Sequence, residues 1–153
     1  MKAAEFVIIT GVSGAGKSQA IKCLEDIGFF CIDNLPTTLI PTFVRLCTQS
    51  EHAIERVALV IDVREGEFLA SLFDILGMLR TEGHAVKIVF LDASNEVLVR
   101  RFSESRRPHP LAAGKSALVG IAAERQMLTR LQDEADLIID TSTLTIHDLK
   151  RFL

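Results

Sequence analysis

The 153 residues are enough for one domain with a hydrophobic core, and 48% hydrophobic against 24% charged residues is typical of a folded globular protein rather than a disordered one. A net charge of −3 excludes a general electrostatic attraction to nucleic acid, so any RNA contact would need a local basic patch. The cysteines, Cys23, Cys31 and Cys47, contain no C-x-x-C pair and are interpreted as reduced, buried thiols of a cytoplasmic protein.

Apolar runs alternate with longer segments of helical periodicity along the whole chain. Strands are predicted at residues 5–10, 29–33, 56–62, 86–92 and 135–140. Helices are predicted at residues 16–28, 41–47, 67–83, 95–106, 116–134 and 145–153. The first apolar run, "FVIIT", is far too short to span a bilayer, and no membrane contact is expected. Apolar strands that alternate with helices predict an α/β fold of three layers, with a five-stranded, mostly parallel sheet between the helices.

The first predicted strand leads into "GVSGAGKS", which matches the G-x-x-x-x-G-K-[ST] pattern of a phosphate-binding (Walker A) loop. Its glycines let successive backbone N–H groups point into one hollow, and the following helix adds the positive end of its dipole. Lys17 is expected to contact the β- and γ-phosphates, and the Ser18 hydroxyl to bind Mg²⁺. The alternative is a glycine-rich turn that merely joins strand to helix. The predicted nucleotide-binding residues are Gly11, Val12, Ser13, Gly14, Ala15, Gly16, Lys17 and Ser18.

Four of the predicted strands end in aspartate, at the edge of a parallel sheet where ligands bind. Asp62 is the best candidate for a catalytic Mg²⁺ contact, with a helix cap as the alternative. Asp33 is a candidate general base toward a phosphoryl acceptor or an attacking water, or else a cap for the turn that follows it. Asp92 and Asp140 are interpreted as caps or turn residues, and "DTS", which begins at Asp140, is a candidate contact for the purine base.

A basic segment, "RRFSESRRPHPL" at residues 100–111, runs from a helix into a loop that contains proline and glycine. Such a loop can close over a bound nucleotide, and Arg106 and Arg107 are candidate catalytic residues that would neutralise charge on a transferred phosphoryl group. The alternatives are a solvated basic face and a local RNA contact, although Phe102 alone does not give the repeated aromatic interleaving typical of RNA contacts. The four histidines match no zinc spacing.

Six segments together resemble one family: "GVSGAGKS", "LEDIGFFCIDNLP", "IDVR", "FLDAS", "RRFSESRRPHPL" and "ADLIIDTS". The sequence resembles the RapZ-type P-loop nucleotide-binding proteins, known as RNase adapter proteins, over almost its whole length. The resemblance implies a nucleotide-kinase-like P-loop NTPase fold that binds ATP and GTP and hydrolyses both weakly. Besides the phosphate loop, it implies a second nucleotide segment at Asp62, Val63, Arg64 and Glu65. Ser105 and Pro108 depart from the family, which more often has Thr and a longer side chain there.

Members of this family carry a second, C-terminal domain of similar size, linked to RNA binding and to the sensing of amino-sugar phosphates. Since the chain ends at Leu153, residues 1–153 are expected to be the amino-terminal P-loop domain alone. A protein or RNA partner would then bind through the missing domain, and homo-oligomerisation is left open.

The leading interpretation is a nucleotide-binding regulatory domain with weak ATPase and GTPase activity. The alternative is a P-loop kinase for a small molecule, with Asp33 as its base and the arginine loop as its lid. Residues 35–55, where such a kinase holds its acceptor, contain a single arginine or lysine, Arg45, which argues against an anionic acceptor. A binding module without turnover is a third possibility.

Overall fold

The computed structural model describes residues 4–12, 14–33, 35–49, 55–61, 69–105 and 117–142. In chain order the elements are β1 (Glu5–Gly11), α1 (Lys17–Asp26), β2 (Phe30–Asp33), a 3₁₀ turn (Thr37–Leu39), α2 (Ile40–Gln49), β3 (Arg56–Val60), α3 (Leu69–Thr81), β4 (Ala85–Asp92), α4 (Asn95–Ser105), α5 (Ala117–Met127), α6 (Thr129–Glu134) and β5 (Leu137–Asp140). The strands and helices alternate as the sequence predicts.

The strands form a five-stranded sheet in the order β2-β3-β1-β4-β5, and each described pairing is parallel. Ile9 of β1 lies opposite Val60 of β3 and Val89 of β4. Phe6 and Ile8, on one face of β1, are fully buried, and so is Ile9 on the other. The central strand is therefore covered on both faces, which confirms the predicted three-layer P-loop fold.

One predicted helix differs from the structure. The segment 116–134 forms two helices, α5 and α6, which meet at Leu128 with φ −94° and ψ 3°. The Thr129 hydroxyl donates a hydrogen bond to the Arg125 carbonyl at 3.0 Å, a back-bonding arrangement that bends helices. The predicted helix at 145–153 lies outside the described residues. Within the described ranges, no helix has the length and apolar character that crossing a membrane would require.

Apolar side chains remain exposed where β2 forms one edge of the sheet. Phe30 of β2 is 47% exposed and stacks on Phe43 of α2, with 6.2 Å between the ring centroids. Ile27, Leu39 and Leu46 are also exposed, and Leu46 is the most exposed of them at 67%. We call Ile27, Phe30, Leu39, Phe43 and Leu46 the apolar flank.

The cysteines are thiols of low reactivity. Cys23 and Cys47 are buried and Cys31 is half-buried, so the prediction of buried thiols is right for the first two. Burial, with a smaller contribution from the Glu25 carboxylate, raises the pKa of Cys31 to about 11. Burial also raises the pKa of Cys47. Since the thiolate is the reactive form, both shifts lower the reactivity of these groups.

Candidate phosphate-binding site

The start of the phosphate loop lies in close contact with β4. Gly11 has φ 144°, and a Cβ placed on it would lie 2.1 Å from the Leu91 carbonyl oxygen. The N–H of the next residue, Val12, donates to that same oxygen at 3.2 Å. A side chain at Gly11 would force β1 and β4 apart, so the first glycine of the motif is required by packing as well as by backbone conformation.

The loop then turns back into α1. Gly14 and Gly16 have φ values of 87° and 106°, which side-chain-bearing residues rarely adopt. The Ala15 N–H donates to the Val12 carbonyl at 3.1 Å, and the Gly16 carbonyl accepts the first helical bond, from Ala20, at 3.0 Å. The three glycines therefore have the positive φ that the motif predicts, and helix α1 begins where the loop ends.

The two polar residues of the motif open helix α1. Lys17 reaches back along the loop, and its Nζ donates to the Gly11 carbonyl at 2.9 Å. The ammonium group therefore lies across the loop, between its last residues and its first. Ser18 follows in the first helical turn with its side chain exposed. An exposed hydroxyl in the first turn of α1 suits Mg²⁺, which takes few protein ligands and is otherwise held by phosphate oxygens and water.

Two residues distant in the sequence hold the loop from outside. Thr141, which follows β5, is 4% exposed, and its Oγ1 donates to the Ala15 carbonyl at 2.6 Å. Arg101 of α4 donates from Nη1 to the Gly14 carbonyl and from Nη2 to the Thr141 carbonyl, both at 2.7 Å. A further contact, from Arg101 Nη1 to Thr141 Oγ1, measures 3.2 Å. We call Arg101 and Thr141 the anchor pair.

The anchor pair is itself fixed to β4 and α5. The Thr141 N–H donates to the Asp92 carbonyl at 2.7 Å. Asp92 Oδ1 accepts from Arg125 Nη1 of α5 and from the Ala93 N–H, each at 2.8 Å. Arg125 also donates to Asn95 Oδ1 and to the Ala93 carbonyl. Asp92 is thus a turn residue, as the sequence predicts, and the structure adds an ion pair with Arg125.

The "DTS" stretch makes contacts within the protein. Asp140 Oδ1 accepts from the Ser142 N–H at 2.9 Å, which confirms its interpretation as a turn residue. Hydrogen bonds from Ser142, with weaker contributions from the Arg101 and Arg125 charges, lower the pKa of Asp140. The Ser142 hydroxyl in turn accepts from the Ser94 N–H at 2.7 Å. These bonds tie the end of β5 to the start of α4.

Asp33 ends the edge strand β2 opposite Val60, with an exposed side chain. Only β3 separates β2 from β1, and the register places Asp33 about 10 Å across the sheet from Ile9, two residues before the phosphate loop begins at Gly11. The remaining predicted site residues lie outside the described residues: Ser13, Asp62, Val63, Arg64, Glu65, Arg106 and Arg107.

Sequence reasoning found the phosphate loop but missed how it is held. Arg101 is 87 residues from Gly14, and Thr141 is 126 residues from Ala15, so no local pattern connects them. A weak signal exists for Thr141. It follows the last strand, and parallel strands bring their carboxyl ends, including that of β1, to one edge of the sheet.

Comparison with known proteins assigns the family. Residues 4–153 match the model of the RapZ-like N-terminal domain. The chain belongs to the RapZ-like N-terminal domain family. It is 53% identical over 151 residues to a nucleotide-binding protein of Desulforudis audaxviator, and 55% identical over 145 residues to one of Clostridium botulinum. These alignments cover 99% and 95% of this RapZ-like chain but 51% and 49% of the relatives. The chain thus spans about half the length of the curated relatives it matches.

Solved structures agree with the RapZ-like assignment at the level of fold. Shikimate kinase from Acinetobacter baumannii superposes with a TM-score of 0.66 at 14% identity, covering 97% of this chain and 90% of the kinase. A gluconokinase from Sinorhizobium meliloti gives 0.60 at 17% identity, covering 99% of this chain and 90% of that one. At such identities the likeness shows a P-loop kinase-like fold and nothing about the substrate.

Proposed function

We propose that this chain is a nucleotide-binding regulatory domain that binds ATP and GTP with Mg²⁺ and hydrolyses them weakly. The observation that carries the proposal is the phosphate loop itself. Its three glycines have positive φ, helix α1 begins at its end, and the Lys17 ammonium lies across it. A nucleoside triphosphate is the ligand whose chain of negative charge suits N–H groups, a helix N-terminus and an ammonium in one place.

In this proposal, different site residues serve nucleotide binding and hydrolysis. Backbone N–H groups of Gly11 to Ser18 would hold the phosphates, and Lys17 would neutralise charge that accumulates on the β- and γ-phosphates. Ser18 and Asp62 would hold Mg²⁺, which supplies further neutralisation of the phosphate oxygens. In this proposal, residues 62–65 form the second nucleotide segment, and Arg106 and Arg107 stabilise the departing phosphoryl group.

The proposal of a regulatory role rests on the family and on the length of the relatives. Since the relatives are about twice as long, we propose that the chain is one domain of a larger cytoplasmic protein. Binding of RNA or a protein partner would then fall to the second domain. The net charge of −3 supports this division, because the P-loop domain alone has no general attraction for RNA.

A small-molecule kinase is a second candidate, and Asp33 is the observation that favours it. An exposed carboxylate at the ligand edge of the sheet, two strands from the phosphate loop, is where a base toward an acceptor hydroxyl would stand. Formation of nucleoside diphosphate and of inorganic phosphate, both measured with and without a panel of metabolites, separates the candidates. Release that needs no metabolite indicates an NTPase, phosphate transfer to a metabolite indicates a kinase, and no turnover indicates a binding module.

The binding site is tested by Lys17→Ala. We expect its affinity for both ATP and GTP to fall by at least about tenfold, because a charged hydrogen-bond donor to phosphate is lost. The midpoint of thermal unfolding should change little, since Lys17 is half-buried and its ammonium donates to a carbonyl oxygen of the loop.

The matched control is Lys22→Ala, which removes an exposed lysine from the same helix. Nucleotide titration and a thermal melt of both variants decide the matter. If Lys17→Ala binds ATP and GTP as the unmodified chain does, the glycine-rich segment is only a turn and the proposed function is wrong.

A further inference from the structure

The outward-facing carbonyls of the phosphate loop carry an inference that rests on the proposed function and deepens it. A phosphate-binding loop works through its N–H groups, yet Gly14 and Ala15 also have carbonyl oxygens that must point elsewhere. Both oxygens have a partner outside the loop. Arg101 holds the first at 2.7 Å and Thr141 holds the second at 2.6 Å.

Holding a carbonyl also aims the N–H that follows it. In a trans peptide the C=O and the next N–H point in opposite directions within one plane. Fixing the Ala15 carbonyl therefore orients the Gly16 N–H. The peptide between Gly14 and Ala15 is held at both ends, because its carbonyl accepts from Arg101 and its N–H donates to the Val12 carbonyl at 3.1 Å. Glycine is the residue with the most backbone freedom to lose, so unanchored peptides beside Gly14 and Gly16 would sample other orientations.

The anchors are rigid enough for this task. Thr141 is buried, and its backbone N–H is held by the Asp92 carbonyl at 2.7 Å. Arg101 donates to two carbonyl oxygens at once, so its planar guanidinium has a fixed orientation. Asp92 pairs with Arg125, which ties the same region to α5.

We infer that Arg101 and Thr141 are positioning residues: they set the affinity of the phosphate loop for polyphosphate by orienting its N–H groups, without contacting the ligand. The inference assigns to Thr141 a role in phosphate binding and separates it from contact with the purine base. It also means that α4 contacts the phosphate loop directly, through Arg101.

The test uses a ligand that has no base and no ribose. Affinities for ATP and for Mg²⁺–tripolyphosphate are measured on Arg101→Gln, Thr141→Val and Thr141→Ser. Arg100→Gln is the matched control, because it removes a neighbouring exposed charge from the same helix. In parallel, hydrogen exchange of the Ala15 and Gly16 amides is measured on the ligand-free proteins.

For Arg101→Gln and Thr141→Val we expect both ligands to bind about tenfold more weakly, by equal factors, because each loses a bond to a loop carbonyl. Exchange at the Ala15 and Gly16 amides should be faster in both variants. Thr141→Ser keeps the hydroxyl and should stay close to the unmodified chain, as should Arg100→Gln. If Thr141→Val does not fold, Arg101→Gln, at a half-buried position, carries the test together with the serine variant.

Three outcomes would overturn the inference. A loss for ATP alone would mean that the anchor pair contacts the base or ribose. A loss for both ligands with unchanged amide exchange would mean direct contact with phosphate, and unchanged affinities would mean that the bonds are only structural. If the unmodified chain binds neither ligand, the proposed function fails, and the exchange rates alone then decide whether the anchor pair orients the loop.

Discussion

Different interactions stabilise the sheet on the two sides of the central strand β1. Toward β4 and β5, charged and hydroxyl side chains join α4, α5 and the phosphate loop through Arg101, Thr141, Asp92 and Arg125. Toward β3 and β2, packing is mainly apolar and ends in the apolar flank, with Phe30 stacked on Phe43 at the sheet edge. Arg56 of β3 adds a hydrogen bond to the Ile27 carbonyl at 2.9 Å and lies over the Phe29 ring.

The contrast between the two sides shows which part of the fold must keep one fixed geometry. Hydrogen bonds are directional, and their network on the β4 side fixes the orientation of individual peptide groups in the loop. Apolar contacts are not directional, so on the β2 side a substitution acts mainly through the apolar area that it buries or exposes. Substitutions on the two sides should therefore differ in size and in kind.

The largest effect is expected at the junction of loop and sheet. Gly11→Ala should lower the free energy of unfolding by about 3 kcal/mol or more, since it adds backbone strain to a clash with β4. The Cβ would lie 2.1 Å from the Leu91 oxygen. Chemical denaturation measures the loss, and Gly77→Ala is the control, because nothing lies within 4 Å of that Cβ in α3.

The control should be stabilised, by about 0.5–1 kcal/mol, as alanine replaces glycine in a helix. Equal effects at the two glycines would contradict the close approach of β1 and β4 at Leu91.

A smaller effect is expected in the polar network. Arg125→Gln should lower the free energy of unfolding by about 2 kcal/mol, because it leaves the partly buried Asp92 without its charged donor. The two side chains are 29% and 23% exposed and lie 2.8 Å apart. Urea denaturation of this variant beside Arg130→Gln checks the value.

Arg130 pairs with Glu134 at 3.5 Å, with side chains 62% and 46% exposed, and its guanidinium lies over the Phe73 ring. Its replacement should cost less than about 1 kcal/mol, as is typical of exposed pairs. An Arg125 effect no larger than that of Arg130 would mean that the network does not stabilise the β4 side.

The smallest effect is expected in the apolar flank. Leu46→Gln should change the free energy of unfolding by no more than about 0.5 kcal/mol, since the side chain is exposed. Ile40→Val, in the same helix but 1% exposed, should cost about 1 kcal/mol for one buried methylene. A large loss at Leu46 would show that the apolar flank is covered in solution, and the comparison between the two sides would need revision.

The sequence predicts the order and type of the elements well because apolar strands and helical periodicity are local signals. The phosphate loop is predicted for the same reason, since its glycines, Lys17 and Ser18 are contiguous. The break at Leu128 is hidden, because a threonine that back-bonds inside a helix has no distinct sequence pattern. The anchor pair is hidden too, since Arg101 and Thr141 meet the loop only after the sheet has formed.

The cysteines have a consequence for oxidative stress. With a pKa of about 11, Cys31 carries only about one thiolate per ten thousand molecules at pH 7, and thiolate is the form that peroxide attacks. Cys23 and Cys47 are shielded by burial. An oxidant that attacks thiolate should therefore react slowly with the cysteines of this domain.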